Sequence, residues 1–168
     1  MVRKGRRRAG LIWVSRVALA SMRGEAAKIT PRETGGLLIG FWSGGEPVIT
    51  AGIGPGPAAV HALESFRPDY DFDEAVIARI WNQTRGQETY LGDWHSHPGA
   101  SHGGLSRQDR RTLRRIGTSR TARASRPLMI VLHGGDPDWA VSVWEGQPCR
   151  VLSLVPCFTA SARDVKEF

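Results

Sequence analysis

A chain of 168 residues, 40% hydrophobic and 23% charged, has ordinary globular proportions and enough length for one substantial core rather than several domains. It contains no apolar run near the roughly 20 residues that a membrane span requires, and its two cysteines, Cys149 and Cys157, form no C-x-x-C, which argues against a disulfide framework, a cysteine zinc finger and the zinc nucleobase deaminases. The formal net charge of +7 is concentrated in two clusters, Arg3 to Arg8 and the arginines 107, 110, 111, 114, 115, 120, 123 and 126.

The first cluster reads as a basic disordered tail over residues 1–9. The apolar stretch after it is too short for a signal peptide and is interrupted by Arg16, so a cytoplasmic protein is expected. Leu11 to Val14 reads as a short strand. Ser15 can cap a helix carrying Val17, Leu19, Met22 and Ala26, which Pro31 ends. Leu37 to Trp42 and Pro47 to Ala51, separated by Ser43-Gly44-Gly45, read as a hairpin. Gly52 to Pro57 is a loop, and 58–67 is expected to hold a strand crossing with Phe66 buried. The spacing of Phe72, Val76, Ile77, Ile80 and Trp81 predicts a helix over 71–81, closed by Gly86.

Thr89 to Leu91, β-branched and aromatic, starts a strand that continues into Asp93-Trp94-His95-Ser96-His97 and stops at Pro98. The loop 99–105 is rich in glycine and serine. Ser106 opens a basic helix on which Asp109, Leu113 and Ile116 share one face. Leu128 to Leu132 reads as a fully buried strand, 134–138 as a turn, and Trp139 to Glu145 as a half-exposed strand. Gly146-Gln147-Pro148 is expected to turn into a last strand over 150–158. The pattern fits one α/β (α+β) domain over residues 10–158, a sheet flanked by helices, followed by a C-terminal tail over 159–168.

The chemistry sits around His95. Side chains alternate along a strand, so His95 and His97 point the same way, about 7 Å apart along the chain. Two converging imidazoles suit a zinc ion. The helical face of Asp109 carries a carboxylate inward as a third ligand, leaving one tetrahedral position open as a catalytic zinc requires. Glu33 stands before Gly35-Gly36, which let another backbone approach closely, and a carboxylate there could act as general base. Ser106 is a helix cap and a candidate for holding an oxyanion. Trp94 and Ser96 point to the opposite face, Asp93 belongs at the rim, and His61, His102 and His133 carry no ligand signal.

Together, Glu33, His95-x-His97 and Ser106-x-x-Asp109 resemble the JAMM (MPN-plus, JAB-domain) metalloprotease family in its bacterial branch, across roughly residues 10–157. The resemblance implies a curved mixed β-sheet with helices on its two sides, with Zn2+ held at one end. It also implies hydrolysis of a peptide or isopeptide bond after the C-terminal glycine of a ubiquitin-like modifier. Bacterial relatives accompany ubiquitin-like conjugation operons, antiphage nucleotidyltransferase systems or sulfur-carrier proteins, and 53–57 with 65–69 looks similar to the antiphage-associated branch. The family pattern places seven residues between the second histidine and the serine, whereas eight stand here, 98–105; Ser101 competes for the role, but only Ser106 keeps the S-x-x-D spacing. The implied partner is a ubiquitin-like protein or its conjugate, with no membrane, and the oligomeric state is left open. For the arginine-rich helix a solvated face comes first, an acidic protein second and nucleic acid third, since base-stacking aromatics are absent from it. A zinc-less MPN scaffold and a nucleic-acid-binding module are the alternative classes.

Overall fold

A nearly continuous apolar run needs cover on both faces, and Leu128–Gly134 obtains it as an inner strand of an eight-stranded sheet. The computed structural model describes residues 10–151 and 155–168, with side chains described outside 149–157. The basic run 1–9, and the side chains of Cys149 and Cys157, therefore lie outside the described residues. In chain order the elements are β1 Ile12–Val14, α1 Arg16–Ile29, β2 Gly35–Ser43, β3 Glu46–Gly52, β4 Val60–His61, β5 Phe66–Arg67 and α2 Tyr70–Gln83. They continue as β6 Thr89–Pro98, α3 Arg107–Thr118, β7 Leu128–Gly134, β8 Ala140–Val151, β9 Val155–Arg163 and β10 Val165–Glu167.

The sheet runs β10-β1-β3-β2-β6-β7-β8-β9. It is mixed: β1 with β10, β1 with β3 and β6 with β7 are parallel, and the other pairs are antiparallel. Helix α1 covers one face, where Leu19 and Met22 pack with Leu128, Ile130 and Leu132. On the other face Leu113 of α3 meets Met129 and Val131, and Val76 of α2 meets Leu37 and Ile39. Successive residues of β7 thus alternate between α1 and α3, which is why its sequence is apolar throughout. Among the described residues, no helix is long and apolar enough to cross a membrane.

Strand β6 carries one irregularity that sets the site. Leu38 pairs with Gly92 and Ile39 with Tyr90, so Leu91 is an extra residue in β6, beside Gly92 at φ 148°. The bulge inverts the alternation. Leu91 and Trp94 both enter the α1 core, whereas Tyr90 and Asp93 come to one face and hydrogen bond there, Tyr90 Oη donating to Asp93 Oδ1 at 2.6 Å.

Four expectations need correction. Gly146–Pro148 is not a turn: β8 continues through it to Val151. A Cβ at Gly146 would stand 2.5 Å from the Phe158 ring, so the glycine serves close packing, and beyond Glu145 one side of β8 has lost β7, where a proline is tolerated. Residues 159–168 are not a tail but the end of β9 and β10, with Ile12 opposite Val165. Their small and polar residues hide a strand whose partner is at the other end of the chain. Ser15 holds the N-cap position of α1 without a side-chain cap bond; its N–H donates to Ile49 O at 2.9 Å. The crossing expected over 58–67 is a small hairpin of β4 and β5.

The two glycines of β2 are sterically obligatory. A Cβ at Gly36 would lie 2.1 Å from Ile53 O, and one at Gly35 would lie 2.4 Å from Trp94 O. Both obstacles are backbone and cannot swing aside. Gly36→Ala is expected to destabilise the fold by about 2 kcal/mol or more, read as a lower denaturant midpoint at unchanged slope.

Candidate metal centre

The site is assembled where the start of β2 is tied to the end of β6. Thr34 N–H donates to Ser96 Oγ at 3.1 Å and Ser96 N–H donates to Thr34 O at 2.8 Å, while Gly35 stands opposite His95. Ser96 points away from the histidines, as alternation requires, and uses its hydroxyl to fix the strand next to Glu33. The Glu33 backbone is held from the other side too. Its N–H donates to Ala62 O at 2.8 Å, and its carbonyl O lies 3.0 Å from His61 Nδ1. Residue 33 is thus clamped between β6 and the β4–β5 hairpin.

His95, His97 and Asp109 converge from β6 and α3. The two Nε2 atoms are 3.0 Å apart; His95 Nε2 is 3.5 Å from Asp109 Oδ1, and His97 Nε2 is 3.9 Å from Asp109 Oδ2. One ligand atom from each residue lies within 4.8 Å of the others. Ligand atoms around a tetrahedral zinc at about 2.0–2.1 Å stand about 3.3 Å apart, so the separations fit a small cation, and two imidazoles with one carboxylate are a suitable donor set. Glu33 Oε1 reaches within 3.9 Å of His97 Nε2 from the segment just before β2. It lies beside these three candidate ligands without being grouped with them.

Helix α3 presents Asp109 through a reciprocal cap. Ser106 Oγ accepts from Asp109 N–H at 3.1 Å, and Ser106 N–H donates to Asp109 Oδ2 at 2.7 Å. The cap leaves Oδ1 directed to His95. Burial works against the Asp109 charge, but the hydrogen bond and charge of His95 together with the Ser106 contacts outweigh it and hold the carboxyl far below its usual range. Burial and the neighbouring His95 push His97 down, toward the neutral form that binds metal. Burial raises Glu33, and the Asp109 and Glu64 charges add to it against the opposing pull of His95. Removing the cap as Ser106→Ala is expected to cost about 1 kcal/mol of stability and to weaken metal binding about tenfold, measured by chemical denaturation and by competition with a chelator.

All five residues singled out from the sequence meet here. Ser101 stays exposed in the loop. The loop is anchored instead by Trp144 Nε1–H, which donates to Gly103 O at 2.8 Å. His102 Nδ1 accepts from Gly104 N–H at 3.2 Å, and His133 Nε2 lies 3.1 Å from Ser142 Oγ. Two contributors escaped the sequence reading. His61 positions Glu33 through a backbone contact that no motif records. Asp73 was legible in principle, because it shares the buried stripe of α2 with Val76, Ile77 and Ile80, where a charge is out of place.

From the metal-ligand group a cleft of about 1050 Å³ extends between α2 and α3 over β6, lined among others by Tyr70, Asp73, Trp81, Asp93 and Arg115. At its inner end burial and the charges of Asp93 and Asp69 raise the Asp73 carboxyl to about 7. Burial also raises Asp93, against the lowering hydrogen bond from Tyr90.

Comparison with known proteins bears on this geometry. The sequence model of the family described as prokaryotic homologs of the JAB domain matches residues 15–145. A protein of Sinorhizobium fredii named probable metalloprotease y4qB is 40% identical over 159 residues, covering 94% of this chain and 97% of its own length. A protein of Enterobacter hormaechei subsp. hoffmannii named CD-NTase/cGAS isopeptidase is 31% identical over 135 residues, covering 79% of this chain and 72% of its own. A solution structure of a protein from Desulfitobacterium hafniense shares the fold at a TM-score of 0.66 and 15% identity, covering 94% of this chain and 93% of that one. The relatives' names support a hydrolase, and a metalloprotease relative agrees with a metal ion at the His-His-Asp group. The chain belongs to the prokaryotic JAB-domain family.

Proposed function

We propose that the protein is a cytoplasmic zinc metallopeptidase that hydrolyses the amide after the C-terminal glycine of a ubiquitin-like modifier, as a peptide or an isopeptide. The observation that carries this reading is Glu33: a half-buried carboxylate 3.9 Å from His97, just before β2 and apart from the β6 and α3 residues that would hold the metal. His95, His97 and Asp109 would bind the ion. When bound, zinc supplies Lewis-acid polarisation of the scissile carbonyl and acidifies water.

The chain's own groups divide the remaining work. Glu33 takes a proton from the attacking water and returns it to the leaving nitrogen. Its raised affinity for protons suits both halves of that task. Ser106 uses its oxygen to accept from Asp109 N–H, so its own O–H remains to donate to the developing oxyanion. Glycine beside the scissile bond suits a narrow approach, since an extended glycine tail can lie along a strand or hairpin edge. The relative named CD-NTase/cGAS isopeptidase supports isopeptide chemistry. The outward arginines of α3 favour an acidic protein surface, with association slowed by salt.

The test is to incubate the zinc-loaded protein with fusions of ubiquitin-like proteins from its own genome and to map the cut by mass spectrometry. Cleavage at the junction after the terminal glycine is expected. Cuts scattered over unrelated sequences, or only in single amino-acid adducts, would replace this reading with a general peptidase or a small-molecule amidase.

A further inference from the structure

The cleft does not end at the metal ligands. Two carboxylates stand at its inner end, Asp73 from α2 and Asp93 from β6, and Asp73 is only 7% exposed. Buried carboxylates are ordinarily paired with a cation or saturated with donors. Here Asp93 has the Tyr90 hydroxyl, but Asp73 Oδ1 accepts no hydrogen bond among the described residues. No lysine or arginine nitrogen lies within 4.0 Å of either carboxylate among the described residues. Arg115, the cation whose charge is felt at Asp93 and Tyr90, also lines the cleft but makes no ion pair with them. The fold thus keeps a buried acceptor unsatisfied beside an open cavity, a cost that unpaired buried polar groups carry only where something else uses them.

We propose that Asp73 and Asp93 form a subsite for a cationic side chain of the substrate, a guanidinium or an ammonium. The proposal rests on the reading of the site as a peptidase that binds an extended tail. Such a side chain would bring donors and a positive charge to a pair of carboxyls that has no ion-pair partner among the described residues. The walls suit its stem as well. Tyr70 and Trp81, 53% and 44% exposed, line the same cleft and offer aromatic faces for methylenes or for a planar guanidinium. Position along the substrate follows from the strand. Asp93 precedes His95 by two residues, about 6.6 Å at a rise of about 3.3 Å per residue, so the cationic residue lies two or three places from the scissile amide.

Binding to the zinc-loaded full chain carrying Glu33→Gln tests this without turnover. The probes are fluorescent glycine-rich tetrapeptide amides in which one residue, moved along the three places before the terminal glycine, is arginine, citrulline or glutamate. Arginine is expected to bind about tenfold more tightly than its neutral isostere citrulline at one of these places, in low salt. Adding Asp73→Asn should bring the ratio within about twofold of unity. Adding Asp93→Asn instead should lower it too, with thermal unfolding and zinc content checking that each variant is folded. Equal binding of arginine and citrulline, a ratio that neither substitution moves, absence of peptide binding or a preference for glutamate would each overturn the subsite. Failure of the unsubstituted enzyme to cut any glycine-ended fusion, with arginine selectivity intact, would overturn the cleavage reading and leave the subsite standing.

Discussion

Glu33→Gln is expected to lower kcat by about a hundredfold to ten-thousandfold, the range a positioned general base contributes, while zinc content and the unfolding transition stay as in the parent. The amide keeps the shape and the backbone clamp to Ala62 and His61 but cannot take a proton. The carboxylate lies 3.9 Å from His97 and is not grouped with the ligands, so the metal should remain. The pH profile gives an independent readout. A base whose carboxyl is raised by burial stays protonated, and therefore idle, further up the acid range than an ordinary glutamate. The parent's kcat/KM should climb as pH rises through that raised value, and the climb should vanish in the variant. Activity within a few-fold of the parent would remove Glu33 from the reaction; loss of zinc would make it a ligand.

Asp109→Ala should take bound zinc from about one ion per chain to near none, in the manner of a site reduced from three protein ligands to two, and hydrolysis should fall below detection. Because Asp109 is at once a proposed ligand and half of the cap at the start of α3, the same change should cost about 1 kcal/mol of stability. His97→Ala separates the two effects: it should abolish metal retention equally, with no helix cap lost. Metal analysis by mass spectrometry on tag-free protein, together with chemical denaturation, reads both. Full zinc retention in either variant would overturn the ligand assignment.

The parts of this molecule that were legible in the sequence are those whose cause is local. His95 and His97 share a face because strands alternate, Ser106 and Asp109 cap a helix because they stand three positions apart, and the apolar run of β7 shows cover on both faces. The illegible parts depend on partners far along the chain. The bulge at Leu91, which puts Tyr90 and Asp93 on one face, is visible only once β2 is alongside. Gly146 looks like a turn until Phe158 is laid across it. His61 has no motif because it holds Glu33 through a main-chain oxygen, and Asp73 is masked by the apolar periodicity of its α2 neighbours.

The pairing of β10 with β1 also governs when the molecule can be completed. Gly10 and Arg163, 153 residues apart, are joined there by the Arg163 guanidinium donating to Gly10 O, and Phe168 O accepts from Arg16 N–H at the mouth of α1. A contact of that span closes last, because its loop entropy is recovered only when the intervening sheet already holds the ends near one another. During synthesis β1 can dock on β3 early, yet its outer edge stays open until residues 165–167 have left the ribosome. For that interval an unpaired strand edge is a template for intermolecular pairing. Chains stopped before Val165 should therefore aggregate as they mature, even though every residue of the candidate metal centre has already been made.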